Sequence, residues 1–142
     1  MDLREIMETG TMLTAIRNAS DEEIATLSEP LVALGRACRR ETPVVEEVFS
    51  RDDDFHAAMM AMTHNRILER IAATIRTMTY DMRHESVELM ISSGRSEELY
   101  QAHEKLYRIL SARDVDGVYR EIRSTYFVPD EAQGVVSLSD RG

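Results

Sequence analysis

Apolar residues recur every three or four positions along most of this chain and rarely alternate, which is the spacing of one face of an α-helix and not of a strand. The pattern predicts an all-α protein. A first helix runs from about Leu3 to Arg17 with Leu3, Ile6, Met7, Gly10 and Leu13 inward, and stops at the Asn18-Ala19 turn. Ser20-Asp21-Glu22-Glu23 is a capping box, in which the serine hydroxyl accepts from the Glu23 amide while the Glu23 carboxylate returns to the Ser20 amide. The stripe Ile24, Leu27, Leu31, Leu34 continues across Pro30, which lacks a backbone donor. Either a kink or two shorter helices meeting there is expected.

Pro43 restarts the chain, and Val45, Val48, Phe49, Phe55, Met59 and Met62 mark a third helix reaching about His64. Ile67, Ile71, Ile75, Met78 and Met82 form a further stripe, suited to packing between other helices. Residues 84 to 95 stay open, with a short helix from Val87 to Ile91 before the Ser92-Ser93-Gly94 loop signal. Ser96 to Ala112 forms the next helix with Leu99, Leu106, Ile109 and Leu110 inward, and Asp114 caps a last one carrying Val118, Ile122 and Phe127. After Pro129 the period is lost. Residues 1–128 therefore read as one domain and 129–142 as a frayed tail.

Length and charge narrow the function. The chain has 142 residues, three prolines, six glycines and a single cysteine, enough for one domain and too few thiols for a disulfide framework. Cys38 reads as a small half-buried side chain in a reducing cytoplasm. The net charge of −9 repels a phosphate backbone, so this chain alone is not expected to grip nucleic acid. No uncharged run approaches the roughly 20 apolar residues that span a bilayer, and Met1 leads directly into Asp2, Arg4 and Glu5. Neither a membrane span nor a secretory signal is expected, and the location read from these features is cytoplasmic.

Two of the four histidines fall where a polar ring needs a reason to be. Asp52 and His56 are four apart and lie one above the other on a helix, on the stripe that continues to Met59 and Thr63. His103 shares an inward stripe with Leu99, Leu106 and Leu110, so its imidazole needs a hydrogen-bond partner or a metal. A carboxylate with imidazoles suits a borderline divalent ion such as Zn²⁺; a satisfied core or surface pair is the plainer alternative. His64 and His84 read as surface groups. Arg4 and Glu8, also four apart, form either a surface ion pair or an arginine turned into a cavity to clamp a carboxylate with two parallel hydrogen bonds. Met59, Met62 and Met78 are core filler or the wall of an adaptable pocket. No nucleophile beside a base, glycine-rich phosphate loop or HExxH is present, so catalysis is not expected.

The order of these signals resembles the C-terminal effector-binding (FCD) domain of FadR-type members of the GntR transcription regulators. Arg4-Glu5-Ile6-Met7-Glu8 resembles that family's R-x-x-L-E, and Ser20-Asp21-Glu22-Glu23-Ile24 its capped second helix. Asp52-Asp53-Asp54-Phe55-His56 resembles D-x-x-F-H, and Asn65-Arg66-Ile67-Leu68 the N-x-x-L that follows. His103 with Ile109-Leu110 and Asp114 resembles the H-x-x-I-x-x-A-I-x-x-x-D block with small offsets, so the likeness spans about Arg4 to Tyr126.

The resemblance implies an antiparallel bundle of six or seven helices around a polar cavity, in a bacterial homodimer that senses a small organic or sugar acid. It implies a divalent metal, Zn²⁺ or Ni²⁺, held by an aspartate and histidines. Asp52, His56 and His103 match three of those ligands; the family's third histidine falls at Thr125, 22 positions after His103, where a water or effector oxygen would complete the shell. Arg4 and Asn65 are the expected effector-facing residues, with Thr125 as a solvent-mediated neighbour. DNA would be reached only through a winged helix-turn-helix that this chain does not include. The alternative is a helical dimerisation or interaction module whose polar interior is purely structural. It predicts no ligand-induced shift in melting, where the sensor predicts one.

Overall fold

A computed structural model describes residues 3–126, with side chains through Ile122. All regular structure there is helical, as the spacing predicts. The order is α1 (Leu3–Asn18), α2 (Asp21–Thr26), α3 (Ser28–Cys38), α4 (Val45–Ala61), α5 (Arg66–Met78), α6 (Tyr80–Ser92), α7 (Ser96–Ala112) and α8 (Val115–Tyr126). The expected tail from 129 to 142, and Phe127, lie outside the described residues.

The all-α bundle is the one expected, with eight helices among the described residues, and two junctions divide stripes that the spacing left joined. The break expected around Pro30 falls three residues earlier, at Leu27. Pro30 then sits in the first turn of α3, where its missing N–H would have had no partner within the helix. Ser20 closes the capping box on α2 from both sides, at 3.1 Å to the Glu23 amide and 2.8 Å back to its own. The second cut is at Thr79, whose hydroxyl donates to the Ile75 carbonyl at 2.8 Å, a back-bond that bends helices. The stripe expected to run unbroken to Met82 is thereby divided between α5 and α6. In the stretch left open, α6 (Tyr80–Ser92) is longer than a helix from Val87 to Ile91 alone.

Two apolar clusters hold the bundle. The larger joins Met12 and Ala15 of α1, Ile24 and Leu27, Leu31 of α3, Phe55 and Met59 of α4, Leu106, Ile109 and Leu110 of α7, and Val118 and Ile122 of α8. The smaller gathers Leu34, Ala37 and Cys38 of α3 with Val48, Phe49 and Val87. Gly35 lets α3 approach α7, since a Cβ there would come within 2.8 Å of the Tyr100 ring. Asp114 caps α8 as expected, accepting from the Gly117 amide at 3.0 Å.

Two expected faces are rotated. On α1, Leu3 and Ile6 are exposed, and the inward stripe is Glu8, Thr11, Met12 and Ala15. The polar pair is buried because it faces other polar groups, so the helix turns by about one position from the purely apolar solution. On α5 and α6, Ile67, Ile71, Met78 and Met82 are exposed; Ala72 is the buried residue of α5, with Ile75 and Arg76 beside it. Met78 is 79% exposed and Met62 is in the core, so of the three methionines proposed for a pocket wall only Met59 serves there, joined by Met7 and Met60. Cys38 is fully buried and not half-buried.

Candidate metal and effector site

Three inward side chains from two helices meet beside α1. Asp52 and His56 lie one turn apart on α4, and His103 reaches them from α7. Asp52 Oδ1 lies 2.7 Å from His103 Nε2 and 3.7 Å from His56 Nε2, and the two Nε2 atoms are 3.2 Å apart. Ligands about 2.0–2.2 Å from a tetrahedral ion stand roughly 3.3 Å from one another, so this triangle fits a divalent metal with little movement. Phe55 sets its edge against both imidazoles, with ring centres 5.7 and 5.1 Å away, which fixes their planes.

The outer nitrogens are already committed. His103 Nδ1 donates to the Leu99 carbonyl at 2.7 Å, a partner that can only accept. His56 Nδ1 faces the buried carboxylate of Glu8 at 3.5 Å. Both rings therefore present Nε2 inward, the orientation that carboxylate or carbonyl partners impose on metal-binding histidines.

The protonation states follow from the same contacts. Burial disfavours the ionised form of Asp52, but the hydrogen bond from His103, the charge on that ring and the charge of Arg76 outweigh it and hold the carboxyl below the usual range. Burial drives His56 down to about 3, reinforced by the positive charges of Arg76, His103 and Arg83 against the pull of Asp52. For His103 burial is again opposed, here by the Asp52 bond, the Leu99 carbonyl and Glu8, and the net direction is upward. The two shifts thus favour the protonated ring at His103, with both nitrogens as donors, and the neutral ring at His56.

A cavity of about 60 Å³ adjoins this triangle, lined among others by Arg4, Glu8, His56, Met59, Arg76 and Arg83. Arg4 and Glu8, four apart on α1, both line it. Arg76 Nη2 lies 3.3 Å from Asp52 Oδ2 and also contacts Asp53; Arg83 Nη1 lies 2.8 Å from Asp53 Oδ1. Asp52 therefore divides its oxygens between the histidines and the arginines.

Asn65 is placed elsewhere. It is exposed at the start of α5, where its side-chain oxygen accepts from the Ile67 and Leu68 amides at 3.1 and 3.0 Å. Thr125 is on α8, and its side chain lies outside the described residues. His64 pairs at the surface with Glu23 at 2.7 Å, and His84 is half-buried on α6, not in a loop, 2.6 Å from Glu46. Sequence reasoning missed Arg76 and Arg83. Their only trace is a pair of arginines seven apart, a spacing that keeps two side chains on one face of a helix.

No helix among the described residues is long and apolar enough to cross a membrane. Comparison with curated proteins and with solved structures gives no significant match. The model of the FCD domain, however, matches residues 1–126, nearly the whole bundle. The chain belongs to the FCD-domain family, the C-terminal effector-binding domain of GntR-family regulators.

Proposed function

We propose that this domain senses a small carboxylate-bearing metabolite, an organic or sugar acid, through a divalent metal held by Asp52, His56 and His103. The observation that carries the reading is the buried triangle of one oxygen and two Nε2 atoms, with both outer nitrogens tied back and a cavity alongside. Three protein ligands leave the shell of a Zn²⁺ or Ni²⁺ ion open to an oxygen of the effector, the ion polarising that oxygen. The residues do the rest. Glu8 and Leu99 orient the imidazoles, Asp52 supplies the anionic ligand, and Arg4 offers a guanidinium to the effector's acid group. Binding one arrangement of the helices more tightly than another would transmit occupancy to a partner subunit in a homodimer and to a DNA-reading segment. The setting is a cytoplasmic transcription regulator with no catalytic step.

Elemental analysis of the purified domain tests the metal. About one divalent ion per chain is expected in the wild type and none in His103→Ala; full stoichiometry in the variant would remove the site. Effector binding is tested by melting the metal-loaded protein against carboxylic and sugar acids, where a shift of a few degrees is expected for at least one. No shift for any of them would leave the interaction-module reading.

A further inference from the structure

The arginines on the cavity wall are paired in an incomplete way. Arg76 of α5 and Arg83 of α6 converge on one oxygen, Asp53 Oδ1, and Arg76 also reaches Asp52 Oδ2. Arg83 spends Nη2 on the Arg76 carbonyl at 2.9 Å, and its Nε–H is buried without any acceptor. A guanidinium presents Nε and one Nη as a fork matched to the two oxygens of a carboxylate. Here the fork is engaged through a terminal nitrogen only. A buried donor left unpaired is uncommon in folded proteins and marks a place where an acceptor belongs. Asp53 is the most accessible member of the group, its side chain 39% exposed against 13% for Arg83 and 20% for Arg76. Of the four partners it moves into water at the least cost.

We propose that Arg76 and Arg83 form an oxyanion subsite of the cavity, and that Asp53 is a built-in competitor which a carboxylate ligand must displace. This rests on the reading of the cavity as a small-acid receptor and adds to it where the acid group goes and what holds the subsite closed. An entering carboxylate takes the Nε and Nη donors of Arg83 together with Arg76, and Asp53 turns outward. Asp52 keeps its place, since its other oxygen is bonded to His103. Because the arginines stand on α5 and α6 and the aspartates on α4, the exchange breaks one tie between these helices. Competition of this kind lowers apparent affinity by the fraction of time the tethered acid occupies the site, so removing it tightens binding.

Isothermal titration of malonate into metal-free and zinc-loaded protein tests this, with Asp53→Asn and Arg83→Lys as the variants and circular dichroism as the check on folding. Asp53→Asn should bind malonate several-fold more tightly than wild type, and Arg83→Lys, which keeps the charge but lacks the fork, about tenfold more weakly. Opposite signs from two neighbouring substitutions cannot come from a general loss of structure. Equal or weaker binding to Asp53→Asn overturns the proposal, including when that variant alone folds. Malonate binding to the zinc-loaded protein that ignores both substitutions also overturns it while leaving the metal-centred reading intact. Loss of the metal reading is judged apart, by zinc content of His103→Ala.

Discussion

At His103 the two ring nitrogens have fixed and different duties, and the metal-free protein should show this in its dependence on pH. His103 titrates above its ordinary value when folded, so its contribution is present below the unfolded value of about 6.5 and is lost as pH rises through the folded value. His56 runs the other way. Its folded value of about 3 means that the unfolded chain takes up a proton first as pH falls below about 6.5, which favours unfolding. Asp52 adds to the acid side, losing its contribution as pH falls from the unfolded value of about 3.9 through the lower folded one. Urea midpoints of metal-free protein should therefore peak near about pH 6 to 7, with an acid limb that flattens in His56→Gln. A curve that ignores that substitution would argue against a neutral buried ring. Cys38, raised to about 11 first by burial and then by the nearby charges of Glu97 and Asp52, should stay unreactive to a thiol reagent at neutral pH until the protein unfolds. The Asp52–His56 spacing and the inward stripe of His103 were legible at this scale. Glu8 was legible only as one of two open choices, because whether an (i, i+4) ion pair faces water or a cavity depends on the helix opposite it.

Among the elements, the start of α2 and the caps of α2 and α8 could be read directly, since capping depends on residues three positions apart. Thr79 could not. Nothing in the apolar period reports a hydroxyl turning back onto the helix, and Arg76 and Arg83 reach the cavity wall from either side of that break. The junction after α7 is another contact between distant parts of the chain. Arg113 sits in the left-handed region at φ 50° and sends its guanidinium to the carbonyls of Ile16 and Ala19 and to Asp21, the last two at 2.8 Å. It satisfies carbonyls at the C-terminal end of α1 that have no partner within the helix. Arg113→Ala should cost about 1–2 kcal/mol, the scale of charged hydrogen bonds discounted for partial exposure, and be read as a lower urea midpoint with unchanged slope. An unchanged midpoint would mean that water replaces the side chain at no cost.

On the scale of the whole molecule, the sequence pattern supplied the helical class and most of the core, while the facing of α5 escaped it. Ile67, Ile71 and Met78 keep a regular period, yet the bundle buries Ala72 instead, with Arg76 half-buried beside it, and leaves the larger residues in solvent. An apolar period identifies a face that avoids water without saying whether the same chain or another copy covers it. If the homodimer proposed for this domain uses that face, Ile71→Glu combined with Met78→Glu should shift sedimentation from dimer to monomer while helicity and metal content stay the same. A dimer that survives both changes must pair elsewhere.

The burial of Glu8 and Thr11 has a further effect on α1. This helix enters the core with two polar residues among its four buried ones, so its adhesion leans on contacts with the site more than that of α3, whose inward residues are all apolar or glycine. Filling the site should therefore slow amide exchange along residues 8 to 15 by a larger factor than along α3, as though the ion were a rivet for one stave of the barrel.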